Sequence, residues 1–210
     1  MDVVLLCGLP ASGKTTAAHR FQAAAGGALV RSCDVYQALG IDLGAWVRRT
    51  QGFTREVAAY ERARDRAYVE MARRLERHLA AGEPLVILDA VHGERAKREV
   101  IYQFCRTHGA RPTLLWCRCD DLGEVRQRIA ARHGRTEPEH EADDLSVFRH
   151  IQGLWEDPWT DPPVAGGAVP VVSYDSLTGD LSHARGAPSP VVELIAAALA
   201  ASPAAARVPG

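Results

Sequence analysis

The sequence predicts an α/β fold in which a mainly five-stranded parallel sheet carries helices on both faces. Three observations support this. Short apolar runs alternate along the chain with longer segments of helical period. The apolar runs are continuous, the mark of strands buried on both faces. Strands separated by helices imply crossover connections, and crossovers give parallel pairing.

The elements follow in order. Val3 to Cys7 is the first buried strand, and Lys14 to Ala25 is a helix stopped by Gly26-Gly27. Ala28 to Cys33 reads as the second strand. Thr54 to Ala81 is a long helix, because Val57, Tyr60, Ala67, Met71 and Leu75 recur near the 3.6 period before Gly82. Leu85 to Leu88 is a third strand, closed by Asp89. Glu94 to His108 is helical, Thr113 to Cys119 extended, and Leu122 to His133 helical again. A polar stretch, Gly134 to Glu141, leads to a helix over Asp143 to Trp155 and a breaker-rich segment over Asp157 to Gly167. Val169 to Tyr174 is the last strand. Pro190 to Ala201 is the last helix, with Ser189 as its N-cap. This order predicts one domain over residues 1–202, a lid at about 126–142 and a disordered tail over 203–210.

Composition limits the function. The 210 residues are 47% hydrophobic and 24% charged, with a formal net charge of -1. That apolar content argues against global disorder. The near-zero charge argues against a broadly basic surface that coats nucleic acid. No apolar run reaches about 18 residues, so no membrane helix is expected. The N-terminus lacks a basic n-region and does not read as a signal peptide. Five cysteines, an odd number, suit a reducing cytosol.

The most informative segment is Gly8-Leu9-Pro10-Ala11-Ser12-Gly13-Lys14-Thr15. It fits G-x-x-x-x-G-K-[ST] in full, after a buried strand and at the start of a helix. Gly8 and Gly13 permit backbone angles that side chains forbid. The amides of this loop, from Gly8 through Ala11, Ser12 and Gly13 to Thr16, then converge on a polyphosphate at a helix N-terminus. Lys14 bridges the β- and γ-phosphates in this reading, and the Thr15 hydroxyl binds Mg²⁺. Lys14 is one of only two lysines in a chain that otherwise uses arginine. No Asn-Lys-x-Asp guanine-reading segment follows, so ATP is the expected nucleotide rather than GTP.

Further candidates sit where strands end. Asp34, after the second strand, can accept the proton of an attacking hydroxyl or can serve as a helix cap. Asp89 ends an apolar strand as a Walker B carboxylate does and is a candidate Mg²⁺ ligand. His92 lies three residues on and is a candidate substrate contact. Arg126, Arg128, Arg132 and Arg135 belong to the predicted lid. Arg128 and Arg132, spaced i, i+4, share a helix face and can neutralise charge on transferring phosphate, or can form a solvated face. Cys117 and Cys119 stand too close for a zinc pair and read as core. Trp46, Trp116, Trp155 and Trp159 are either a substrate wall or packed side chains.

These residues resemble the P-loop kinases that include polynucleotide 5'-hydroxyl kinases, seryl-tRNA kinases and chloramphenicol phosphotransferase-like enzymes. The resemblance implies a P-loop NTPase three-layer sandwich with an arginine-bearing lid. It implies Asp34 as general base, Asp89 as the strand-end carboxylate and Arg128 with Arg132 as the lid pair. Two positions depart from the polynucleotide kinases. Gln37 stands where an Arg holds the substrate phosphate, and His92 stands where Asn is common. Both departures weaken a nucleic-acid end as the substrate.

The expected function is an ATP- and Mg²⁺-dependent kinase acting on a hydroxyl of a small molecule. Acceptor recognition is expected from Asp34, Gln37, Trp46, Arg49, Tyr60 and His92. One alternative acceptor is a nucleic acid, either a 5'-hydroxyl end or an aminoacylated tRNA, which needs a basic groove from Arg48, Arg49, Arg55, Arg62 and Arg64. The other alternative is a nucleotide-gated regulatory protein without an acceptor. No membrane partner is expected, and the sequence leaves the oligomeric state open.

Overall fold

The computed structural model describes residues 1–42, 57–132, 145–163, 167–186 and 189–200. Six strands form one sheet: β1 (Asp2–Cys7), β2 (Ala28–Arg31), β3 (Leu85–Asp89), β4 (Arg111–Arg118), β5 (Val171–Asp175) and β6 (Leu181–Arg185). Their order is β2-β3-β1-β4-β5-β6. The first five are parallel and β6 runs antiparallel to β5. The helices are α1 (Lys14–Ala25), α2 (Ser32–Ala38), α3 (Val57–Ala80), α4 (Arg95–Thr107), α5 (Leu122–Arg132), α6 (Leu145–Gly153) and α7 (Pro190–Ala200).

The sheet is buried on both sides, as the continuous apolar runs require. Val4 and Leu6 of β1 pack with Ala17, Ala18 and Phe21 of α1 and with Ile195 of α7. Val3 and Leu5 pack on the opposite face with Tyr60, Met71 and Leu75 of α3 and Ile101 of α4. A smaller cluster joins Ala11 to Val125 and Ile129 of α5 and Phe148 of α6. Among the described residues, no helix is long and apolar enough to cross a membrane.

The topology places the ligand crevice. The chain leaves central β1 for β2 and β3 on one side, then crosses to β4 and β5 on the other. Strand order therefore reverses at β1, and open α/β sheets bind ligands at the carboxyl ends beside such a point. Residues 8–13 lie there.

Several expectations need correction. The second strand stops at Arg31 rather than Cys33, and α2 begins at Ser32, so Asp34 sits in a helical first turn. The sheet has a sixth strand. Leu181–Arg185 is too polar to read as a buried strand, but it pairs at the sheet edge after the turn at Ser176–Asp180. Ser189 does not cap α7 with its side chain. Its carbonyl accepts from Val192 and Glu193 at 2.9 and 3.2 Å, and its hydroxyl has no partner among the described residues. The expected starts of the Thr54 and Asp143 helices, most of the predicted lid and the tail lie outside the described residues.

Candidate active site

The glycine loop joins β1 to α1 and follows the course its spacing predicts. Gly13 has φ 87°, and a Cβ there would lie 2.7 Å from Ser176 Cβ. A Cβ on Gly8 would lie 2.3 Å from the Cys117 carbonyl oxygen. Both glycines are thus required by close approach, and Gly13 also by its backbone angle. Ala11 adopts φ 61°, a left-handed conformation costly for a residue with a side chain. Strain of this kind persists at sites where surrounding structure enforces it.

The polar groups of the loop are arranged for an anion. Lys14 is buried, and its Nζ donates to the Leu9 carbonyl at 2.9 Å. Ser12 Oγ is buried with no hydrogen-bond partner among the described residues. Gly8 N donates to Val91 O at 3.1 Å, which ties the loop to the segment after β3. An orphaned hydroxyl, a lysine lying along the loop and a cradle that side chains would fill are features a polyphosphate accounts for.

The Thr15 hydroxyl donates to Asp89 Oδ2 at 2.8 Å. Asp89 is 4% exposed. Burial pushes its carboxyl above the usual range, while Lys14, the Thr15 hydrogen bond, Arg31 and His19 pull it back. A hydroxyl and a carboxylate side by side next to a phosphate cradle fit Mg²⁺, which keeps most of its waters and takes few protein ligands. Among the described residues, no group of three or more His, Cys, Asp or Glu side chains is placed to hold a metal by itself.

Arg128 reaches the loop from α5. Its Nη1 donates to Ala11 O at 3.2 Å and to Ser176 Oγ at 2.8 Å, and its Nε donates to Glu124 at 2.8 Å. Arg128 borders a cleft of about 360 Å³ lined also by Gly13, Thr16, Tyr174 and Ser176. This cleft runs from the phosphate loop toward the β5–β6 turn. Arg132 ends α5, and its side chain lies outside the described residues.

Asp34 stands on the other side. Its side chain is 49% exposed, with Arg31 Nη1 at 3.8 Å from Oδ1. Cys33 Sγ donates to the same carboxylate at 3.7 Å. Arg31 is the register partner of Asp89, so both carboxylates flank the ends of adjacent strands. Gln37 is exposed on α2.

Two acceptor candidates are packed instead. His92 is wholly buried, with Nδ1 at 2.7 Å from Leu6 O and its ring edge-on to Tyr68. Burial lowers its pKa to about 4, against the hydrogen bond to Leu6, so the ring is neutral near pH 7. Tyr60 is 1% exposed and sits against the Arg64 guanidinium and the His150 ring. Its helical period already placed it on the core face of α3. Arg64 donates to Glu61 and Glu94 and is buried, so it contributes nothing to a basic groove. Trp116 stacks on Trp155 and meets Trp159 edge-on, a packed cluster. Trp46, Arg48, Arg49 and Arg55 lie outside the described residues.

Sequence reasoning missed Ser176 and Arg31. A polar turn right after the last parallel strand, Asp175-Ser176-Leu177-Thr178, was the available signal for Ser176. Arg31 carries none, because a basic residue at the end of a strand has no distinguishing pattern.

The loop, the strand-end carboxylate and the sheet order together define a P-loop nucleotide-binding fold. The family model described as AAA domain (AAA_33) matches residues 3–153. The chain belongs to that family. Solved structures share the fold. A sugar kinase from Janibacter sp. HTCC2649 superposes with TM-score 0.58 at 17% identity, covering 95% of this chain and 93% of that one. A gluconokinase from Sinorhizobium meliloti 1021 gives TM-score 0.51 at 16% identity, with 95% and 90% covered. Kti12 of Chaetomium thermophilum, in complex with ADP-AlF3, gives 0.51 at 19%, with 75% and 81% covered. No curated protein matches this chain.

Proposed function

We propose that this protein is an ATP- and magnesium-dependent kinase that phosphorylates a hydroxyl of a small molecule. The observation that carries the reading is the 2.8 Å contact of Thr15 with buried Asp89 at the mouth of the glycine loop. The loop amides and Lys14 hold the triphosphate tail, and Lys14 leaves the Leu9 carbonyl to do so. Ser12 Oγ gains the partner it lacks. The nucleoside lies in the cleft between Thr16, Tyr174 and Ser176, with Arg128 over the phosphates. Bound Mg²⁺ at Thr15 and Asp89 supplies charge neutralisation on the phosphate oxygens.

Asp34 takes the proton of the acceptor hydroxyl as its oxygen bonds to the γ-phosphorus. The bond from that phosphorus to the bridging oxygen breaks, and ADP leaves. Arg132 completes the lid with Arg128. The acceptor enters on the side of Asp34 and Gln37, with Trp46 and Arg49 as further contacts. A sugar or sugar acid is the favoured acceptor class, a choice supported by the names of the sugar kinase and the gluconokinase that share the fold. Five free cysteines suit the reducing cytoplasm in which we place it.

The test is incubation of the protein with magnesium ATP and a panel of sugars, polyols and sugar acids. Mass spectrometry should find a gain of about 80 Da on one acceptor, one phosphoryl group in place of a hydrogen. Turnover of ATP with no product on any alcohol would reject the assignment.

A further inference from the structure

Arg31 breaks a local rule. It is the last residue of β2 and the N-cap of α2, with φ -104° and ψ 138° and no side-chain cap hydrogen bond. Ser, Thr, Asp and Asn are favoured at an N-cap, and a cation opposes the helix dipole there. Ser32, a natural capping residue, stands one position too late. Violations of this kind gather where another demand outweighs local preference.

The surroundings identify that demand. In the parallel ladder Arg31 pairs with Asp89. Strand neighbours lie about 5 Å apart, and paired residues of a parallel ladder point to one face. That face is the one on which Leu29 and Ile87, themselves paired, pack toward α1. The Arg31 side chain is only 14% exposed, yet its Nη1 lies 3.8 Å from Asp34 Oδ1. Arg31 therefore sits beside the end of the strand that carries the candidate metal carboxylate, and its guanidinium reaches the candidate base. Without it, Asp34 is a half-exposed carboxylate on a seven-residue helix, with the neighbouring Cys33 thiol as its remaining contact among the described residues.

We propose that Arg31 is a positioning residue for phosphoryl transfer: it holds the Asp34 carboxylate beside the end of β3, aimed at the transferring phosphate. The inference rests on the reading of Asp34 as general base. Arg31 acts through that carboxylate and does not bind nucleotide. Its fixed, planar fork suits this task better than a lysine, which carries the same charge as a mobile point.

Water serves as the probe acceptor. In that reaction a water oxygen bonds to the γ-phosphorus and the bond to the bridging oxygen breaks. ADP leaves, and the water proton passes to Asp34 and then to solvent. Phosphate release from magnesium ATP is measured for the full chain and for Arg31→Gln, Arg31→Lys, Asp34→Asn and the double variant Arg31→Gln/Asp34→Asn. Magnesium ATP affinity is measured alongside by calorimetry. Asp34→Asn should slow release by about 10²-fold, within the usual range for a general base. Arg31→Gln should slow it by at least about tenfold, with affinity unchanged and partial rescue by Arg31→Lys. In the Asp34→Asn background, Arg31→Gln should cause no further loss, because residues that act as a unit are non-additive.

Release by Arg31→Gln at the parental rate, with Asp34→Asn slow, would overturn the inference and leave the base reading intact. An additive double variant, or a loss of nucleotide affinity in Arg31→Gln that matches its loss of rate, would also overturn it. A parental rate in Asp34→Asn would remove the base reading and the inference together. If Arg31→Gln does not fold, Arg31→Lys in both backgrounds carries the same comparison.

Discussion

Asp89 ends one strand and Asp34 follows its neighbour, yet they sit in opposite environments. Asp89 is 4% exposed, hydrogen-bonded to Thr15 and flanked by Lys14 and Arg31. Asp34 is 49% exposed and has a single-pronged contact with Arg31 at 3.8 Å. The contrast extends to their surroundings. Asp89 adjoins the start of α1 through Thr15, and the glycine loop beside it is tied by Gly8 to the Val91 carbonyl and by Ala11 to Arg128. Among the described residues, the surroundings of Asp34 are a short helix, Arg31 and Cys33. The glycine-loop side of the crevice is preorganised, whereas Asp34 is half exposed on its short helix. Preorganisation matters most where charge is to be stabilised, because fixed dipoles need not reorganise during the reaction.

The largest break in this contrast is chemical. Asp34→Asn should lower transfer by about 10²–10⁴-fold while leaving magnesium ATP affinity within about twofold. Rate assays paired with calorimetry separate these two effects. Equal losses in both would mean that Asp34 belongs to the nucleotide side.

That division also explains what the sequence could reveal. The phosphate side is one contiguous stretch, Gly8 to Thr16, whose geometry follows from two glycines between a strand and a helix. Asp89 is legible for the same reason, a carboxylate that ends an apolar run. The helix that carries Asp34 is not legible, because Ala28 to Cys33 gives no stop signal before Ser32. His92 was misplaced because three residues beyond a strand end suggests an exposed loop. Its left-handed backbone, φ 41°, instead turns the ring inward to the Leu6 carbonyl. The sixth strand was lost because edge strands carry polar residues that mask their periodicity.

A second break is structural. Arg98 and Asp161 form a wholly buried, two-pronged pair at 2.6 and 2.7 Å, and Arg98 also donates to the carbonyls of His92 and Gly93 at 2.9 Å. It thereby holds the segment whose Val91 carbonyl accepts from Gly8. Arg98→Met leaves the buried Asp161 carboxylate, among the described residues, with only the Tyr102 hydroxyl and the more distant Arg95, and should cost about 3–5 kcal/mol in denaturant unfolding. An equivalent change at exposed Asp34 should cost far less.

His92 gives a smaller effect with a definite sign. Its folded pKa is about 4 against a usual 6.5, so the unfolded chain binds its proton first as pH falls. The stability it supports is complete above about pH 6.5 and is lost progressively down to about pH 4. Relative to His92→Gln, the parent protein should lose up to about 3 kcal/mol across that interval. Parallel stability curves for the two proteins would contradict the buried, neutral ring.

The smallest effect refines the cradle itself. Ser12→Ala removes a buried hydroxyl without a partner among the described residues. The ligand-free protein should be as stable or about 1 kcal/mol more so, because an unsatisfied buried polar group is costly. Nucleotide affinity should fall by about tenfold, the loss of one hydrogen bond to a charged group. A drop in ligand-free stability would show that the hydroxyl serves the fold.

The central claim, a magnesium nucleotide held between the glycine loop and Asp89, is tested most directly by calorimetric titration of ATP with and without Mg²⁺ into the parent protein and Asp89→Asn. The account predicts saturable one-to-one binding in both proteins, tightened by Mg²⁺ in the parent and indifferent to it in the variant. No saturable binding to the parent, or a magnesium effect that survives Asp89→Asn unchanged, would contradict it.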